Sequence, residues 1–175
     1  MSSTGLLMAL AAAAMSVPDA KPDEIDVAVN AVPKSFADCA SLYAKKLEAD
    51  APVEGRFSCG QRHFEHHPGF DGSTYEMATA LVHAAGVANL YIDSVLVPAL
   101  EERLRRDNAK ETSHALVLRE FVRSQRAAGE NECKLYSDWF RGGTIRSIMS
   151  SSCGVGNADE LVEALLRFNA VTAAR

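Results

Sequence analysis

The chain has 175 residues, 47% of them apolar, and a formal net charge of −5. That length suits one domain of ordinary size, able to bury a core without metal ions or many disulfides. The mild acidity argues against the broad basic face that nucleic acid demands and suits a basic partner instead.

Residues 1–16 read as a secretory signal peptide. Leu6 to Met15 is a short Leu- and Ala-rich run, and Ala12, Ala14 and Ser16 give the small-residue spacing of a cleavage site. No Lys or Arg precedes Lys21. The run is too short to cross a bilayer, so no stable transmembrane span is expected from it. A leader of this kind directs the chain to the periplasm or to secretion. Residues 17–34 carry Pro18, Pro22, Pro33 and a cluster of acids without periodicity, the pattern of a flexible linker.

The helical domain is expected over residues 35–175. Ser35 to Asp50 repeats apolar residues at Phe36, Cys39, Leu42, Tyr43 and Leu47, and Ser35 is placed to cap the helix. Ala51 to Ser73 holds Pro52, Gly55, Gly60, Pro68, Gly69 and Gly72 and reads as loop, with Cys59 inside it. Thr74 to Asp107 is the longest helical pattern. Its stripe is Leu81, Ala85, Ala88, Ile92, Val95, Ala99 and Leu104, and Pro98 predicts a kink or short break.

After a polar turn, a second long helix is expected from Thr112 to Phe140. Its inner positions are Leu118, Val122, Gln125, Gly129, Cys133, Tyr136 and Phe140. Gly129 costs about 1 kcal/mol against Ala in a helix, so either the helix is weak there or another backbone packs on it. Gly142 and Gly143 end the helix. Thr144 is then placed to cap a short helix through Ser152, and Asn157 with Glu160 loosely matches a capping box before a last helix that buries Leu161, Leu165 and Phe168. The predicted fold is all-α: an antiparallel hairpin of two long helices, flanked by shorter ones and stapled by disulfides.

The four cysteines allow two bridges in three connectivities; buried free thiols in a reducing compartment are the alternative. Cys133 and Cys153 flank the glycine turn and read as a staple between two helices. Cys39 and Cys59 are then left to pair, by economy rather than by spacing.

Enzyme and cofactor readings find little support. His63, His66 and His67 with Cys59 match no common zinc spacing, and exposed loop histidines are the plainer reading. Cys59 with His63 lacks a third orienting group for nucleophilic catalysis. Ser150 to Gly154 lacks the nucleophile elbow, and no phosphate loop or dinucleotide fingerprint occurs. Glu130 and Glu132 are two positions apart on a helix and do not face the same way. No cofactor or metal is expected, and binding is the function left.

Residues 90–165 resemble the lysozyme inhibitor LprI-like family of small secreted bacterial domains. Asp93 and Leu96 fit the start of the family pattern, Glu130, Glu132 and Cys133 the approach to its first Cys, Gly142, Gly143 and Thr144 its turn, and Cys153 and Leu165 its close. Val97, Val122, Gln125, Gly129, Ala158 and Leu161 depart from the usual signature residues, so the frame bears on fold more than on activity. The resemblance implies a protein partner, a basic c-type lysozyme. General envelope scaffolding is the alternative, and a hydrolase or metal-binding domain a remote one. Candidate binding segments are the Gly142–Thr144 turn and the Arg62–Asp71 loop with His63, His66 and His67, since loops carry function more often than helices do.

Overall fold

A computed structural model of the chain describes residues 29–49, 51–53, 55–107, 113–140, 143 and 145–173. The leader at 1–16, the linker up to residue 28, Gly142 and Thr144 lie outside the described residues. The described residues form helices and no strand: α1 (Lys34–Glu48), α2 (Cys59–Glu65), α3 (Thr74–Tyr91), a π-helical turn (Ile92–Leu96), α4 (Val97–Asp107), α5 (Ser113–Trp139) and α6 (Arg146–Ala173).

The helix α1 starts one residue earlier than expected, and Ser35 does not cap it. Pro33 occupies the cap position, and its carbonyl accepts the Phe36 and Ala37 amides at 3.1 Å. Proline needs no partner for its own nitrogen there and has its φ already fixed. The end of the expected linker is also ordered against the bundle. Val29 and Val32 pack on the core, and a Cβ on Gly86 would meet Val29 at 2.9 Å.

The loop-rich stretch between Ala51 and Ser73 contains α2, with Cys59 as its first residue. At α3 the sequence Ser73-Thr-Tyr-Glu76 forms a reciprocal capping box. The Ser73 amide donates to Glu76 at 2.7 Å, and the Glu76 amide donates back to the Ser73 hydroxyl.

The expected break near Pro98 takes the form of the π turn. Such a turn adds one residue to the helical register, and burial shifts accordingly. Leu81, Ala88 and Ile92 are buried as expected, but beyond the turn it is Leu96 and Leu100 that face the core, while Val95 and Ala99 face outward. Residues Thr74–Arg106 are long and apolar enough to cross a membrane by length and composition. Here Ala78, Ala80, Leu81, Ala84 and Val87 are buried in the bundle.

Helix α6 departs furthest from the sequence pattern. One helix of 28 residues replaces the two short ones expected, and it runs through Gly154, Gly156 and Asn157 without a break. Leu161 and Leu165 are buried as expected, but Phe168 is exposed. Contacts fix the directions. Glu101 pairs with Arg119 and Asp93 with Arg126, so α3–α4 and α5 run antiparallel. Cys133 joins Cys153 and Gly129 meets Asn157, so α5 and α6 are antiparallel too. Gly154 faces Ala85 and Arg103 reaches Asn169, so α3–α4 and α6 are parallel. The result is an up-down-up bundle with α6 packed on both neighbours and α1 and α2 along its side. The main core gathers Phe36, Phe57, Ile92, Leu100, Val162 and Leu165; a second, at the start of α6, gathers Phe64, Leu81, Ala84 and Val155.

Candidate functional site

Three places concentrate polar groups or open space. The first is the end of the bundle where α2, the start of α3 and the start of α6 meet. Phe64 of α2 shares the second core with Val155, with Ile148 beside them, so the segment from His63 to Ser73 lies at the same end of the bundle as the α5–α6 turn. Of the other candidate segment only Gly143 is described, and it lies between the end of α5 and the start of α6, where its amide donates to the Phe140 carbonyl and its carbonyl accepts the Arg146 amide. Phe70, Tyr75 and Ile145 are exposed there, and the α2–α3 stretch adds the acids Glu65, Asp71 and Glu76. Hydrogen bonds from Ser73 hold the Glu76 carboxyl below its usual range, so it stays ionised.

The histidines at this end are not simply exposed loop residues. His63 is half-buried on α2 and stacks on His83 of α3, with Nε2 and Nδ1 3.3 Å apart. The ring of His67 lies 5.2 Å from that of His83, and His67 Nδ1 accepts the Gly69 amide at 3.1 Å. His66 is exposed, with Nδ1 2.7 Å from the Arg62 carbonyl. Burial, then the neighbouring His83, His67 and His66, lower the pKa of His63; burial, then His67, lower that of His83. His83 was missed in the sequence because nothing short of the fold places a residue 20 positions away against His63.

The second place is a cleft along α5, facing α3 and α6 at one end and the π turn and the start of α4 at the other. One cavity of about 400 Å³ is lined by Ala85, Asn89, Gly129, Gly154 and Leu161 among others. A second, of about 410 Å³, is lined by Asp93, Val97, Arg119, Arg123 and Glu130. Arg126 lines both and bridges the cleft, donating to Asn89 Oδ1 at 3.1 Å and to Asp93 Oδ1 at 2.9 Å. Here Gln125, expected on the inner face of α5, is exposed, as is Tyr136.

The third place is the clamp that α6 puts on the chain around Cys59. The cysteines pair as Cys39–Cys59 and Cys133–Cys153, with Cα atoms 5.9 Å and 5.4 Å apart. The Cys59 thiol that a zinc or nucleophile site would use is therefore tied up, and no group of three or more His, Cys, Asp or Glu among the described residues is placed to hold a metal ion. Asp159 accepts the Gly60 and Gln61 amides at 2.8 and 3.2 Å, capping α2 from another helix. One turn on, Glu163 accepts the Phe57 amide at 2.9 Å and the Tyr43 hydroxyl at 2.8 Å. Asn157 is not a helix cap. Its amide donates to the Gly129 carbonyl at 3.0 Å and approaches Cys133 Sγ at 3.1 Å. The group packing on Gly129 is thus a side chain rather than a backbone.

Two disulfides fit an oxidising compartment. Comparison with family models, with curated proteins and with solved structures gives no match.

Proposed function

We propose that this chain is a helical binding protein of the periplasm or the cell exterior, exported by its leader, and that the α2–α3/α5–α6 end of the bundle docks a basic protein of the c-type lysozyme class. The observation that supports the reading is the exposure of Phe70, Tyr75 and Ile145 at the end of the bundle that also carries Glu65, Asp71 and Glu76. Aromatic side chains supply buried anchors in protein interfaces, and acids steer a basic partner and fix its orientation. The resemblance of the Cys133–Cys153 frame to lysozyme inhibitors supplies the partner class. Nothing in this reading requires catalysis.

A titration of the oxidised chain against a c-type lysozyme tests it, with cell-wall clearing and direct binding followed together. Saturable inhibition near equal stoichiometry, weakened by salt and by Tyr75→Ser, is expected. Absence of binding at low salt would sink the lysozyme reading. The second reading, an envelope interaction domain without lysozyme inhibition, has one observation in its favour. Gly129 and Ala158, which stand at signature positions of the inhibitors, are used here for helix packing under Asn157 and in the core.

A further inference from the structure

Helix α5 has two apolar faces. Leu118, Val122 and Cys133 are buried against the bundle. A flank of the helix, roughly 100° around from that face, carries Val117, Phe121, Ala128, Leu135 and Trp139, all exposed, with Leu135 at 72% and Trp139 at 86%. A surface helix with one core face normally presents polar residues elsewhere. Large exposed apolar stripes mark interaction surfaces.

The stripe has an internal symmetry. Phe121 and Leu135 lie seven residues before and after Ala128, and Val117 and Trp139 lie eleven before and after it. At about 3.6 residues per turn these offsets are close to two and three whole turns, so all five positions share one face. An interface between two copies related by a twofold axis must be self-complementary, because each residue meets the partner position the symmetry dictates. An antiparallel pairing of α5 with its copy through Ala128 satisfies this at every step. Val117 would meet Trp139, Phe121 would meet Leu135, and Ala128 would meet itself, small enough for the helices to approach. The same register sets Ser124 level with Glu132, both exposed.

We propose that a second copy of this chain covers this face, forming a twofold dimer through α5. The strip from Val117 to Trp139 is ~33 Å long at 1.5 Å per residue. With Ser124 and Glu132 at its flanks it is of the length needed to approach the roughly 800 Å² per partner of a standard interface. The pairing leaves the α2–α3/α5–α6 end of each copy at opposite poles. The inference does not rest on the lysozyme reading.

Light scattering or sedimentation of the full oxidised chain at ~100 µM tests it, a concentration two decades above a micromolar Kd. Twice the monomer mass is expected. Phe121→Glu and, at the more exposed position, Leu135→Glu should each return the mass to the monomer with unchanged helical circular dichroism. Mild oxidation should link Ala128→Cys to its own copy, whereas Ser124→Cys should link poorly to itself. A monomeric native chain, a dimer that survives Leu135→Glu, or self-linking of Ser124→Cys equal to that of Ala128→Cys would each overturn the proposal.

Discussion

Asp159 holds the Gly60 amide at 2.8 Å from the far side of the core, and a Cβ on Gly60 would sit 2.9 Å from the same carboxylate oxygen. The contact joins residues 99 apart in sequence. It supplies a short helix, α2, with the cap its own Ser58 does not provide. Gly60→Ala therefore sets two effects against each other. Alanine gains about 1 kcal/mol of helix propensity. It also displaces a carboxylate only 4% exposed and strands two backbone donors, at about 1–3 kcal/mol for each. The clash wins. A lowered denaturation midpoint is expected; an unchanged or raised one would mean α2 is held some other way.

The same carboxylate should make stability depend on pH in an unusual direction. Burial pushes the Asp159 pKa up to about 6, against the lowering effect of the Gly60 and Gln61 amides. The folded state then binds this proton more tightly than the unfolded chain does. The cost of the buried charge is present at pH 7 and is relieved as pH falls from about 6 to about 4, by on the order of 3 kcal/mol. Glu76, Glu101, Glu102 and Glu163, whose pKa values are lowered, act in the opposite sense at more acid pH. The difference between the native chain and Asp159→Asn isolates the term. Urea titrations at pH 7 and pH 4.5 should show the native chain gaining on the variant; a constant difference would refute the assignment.

How much of this was legible in the sequence depends on how local each signal is. The all-helical class follows from apolar periodicity, and Leu118, Val122 and Cys133 fall inside as their spacing predicts. The π turn was not legible, because Pro98 announces a disturbance but not that the register advances by one and replaces Val95 and Ala99 by Leu96 and Leu100. Asn157 misled for a related reason. Asn after glycines favours a helix start in isolation, yet its side chain here finds the Gly129 carbonyl across the bundle, and Gly154 lets α6 lie close to Ala85. The His63–His83 pair and the Asp159–Gly60 cap join distant elements, and no local pattern encodes either.

The packing of Asn157 on Gly129 can be tested by a double-mutant cycle. A Cβ at position 129 would meet Asn157 Nδ2 at 2.9 Å and its Cβ at 3.1 Å, so the side chain cannot clear the space by swinging its tip alone. Gly129→Ala should therefore destabilise the native chain despite the helix propensity it gains. In an Asn157→Ala background the 2.9 Å contact with Nδ2 is gone and only the 3.1 Å contact with Cβ is left, so the same substitution should cost clearly less than it does in the native chain. Equal effects of Gly129→Ala in both backgrounds would mean that the two residues do not couple.

The two disulfides close loops of equal sequence separation, 20 residues each. The chain-entropy argument therefore assigns both about 3 kcal/mol. Their surroundings differ. Cys59 opens α2, which Asp159 and Glu163 also hold in place through backbone amides from Phe57 to Gln61. Cys133 and Cys153 have Asn157 against their sulfurs, so losing the bridge also disturbs the contact with Gly129. Converting Cys133 and Cys153 to Ser should lower stability by about 2–5 kcal/mol, and by more than converting Cys39 and Cys59. Chemical denaturation of the two double variants, with a thiol assay showing no free thiol in the native protein, checks both statements. A melting curve unchanged by loss of Cys133 and Cys153 would show that this bridge does not form in solution.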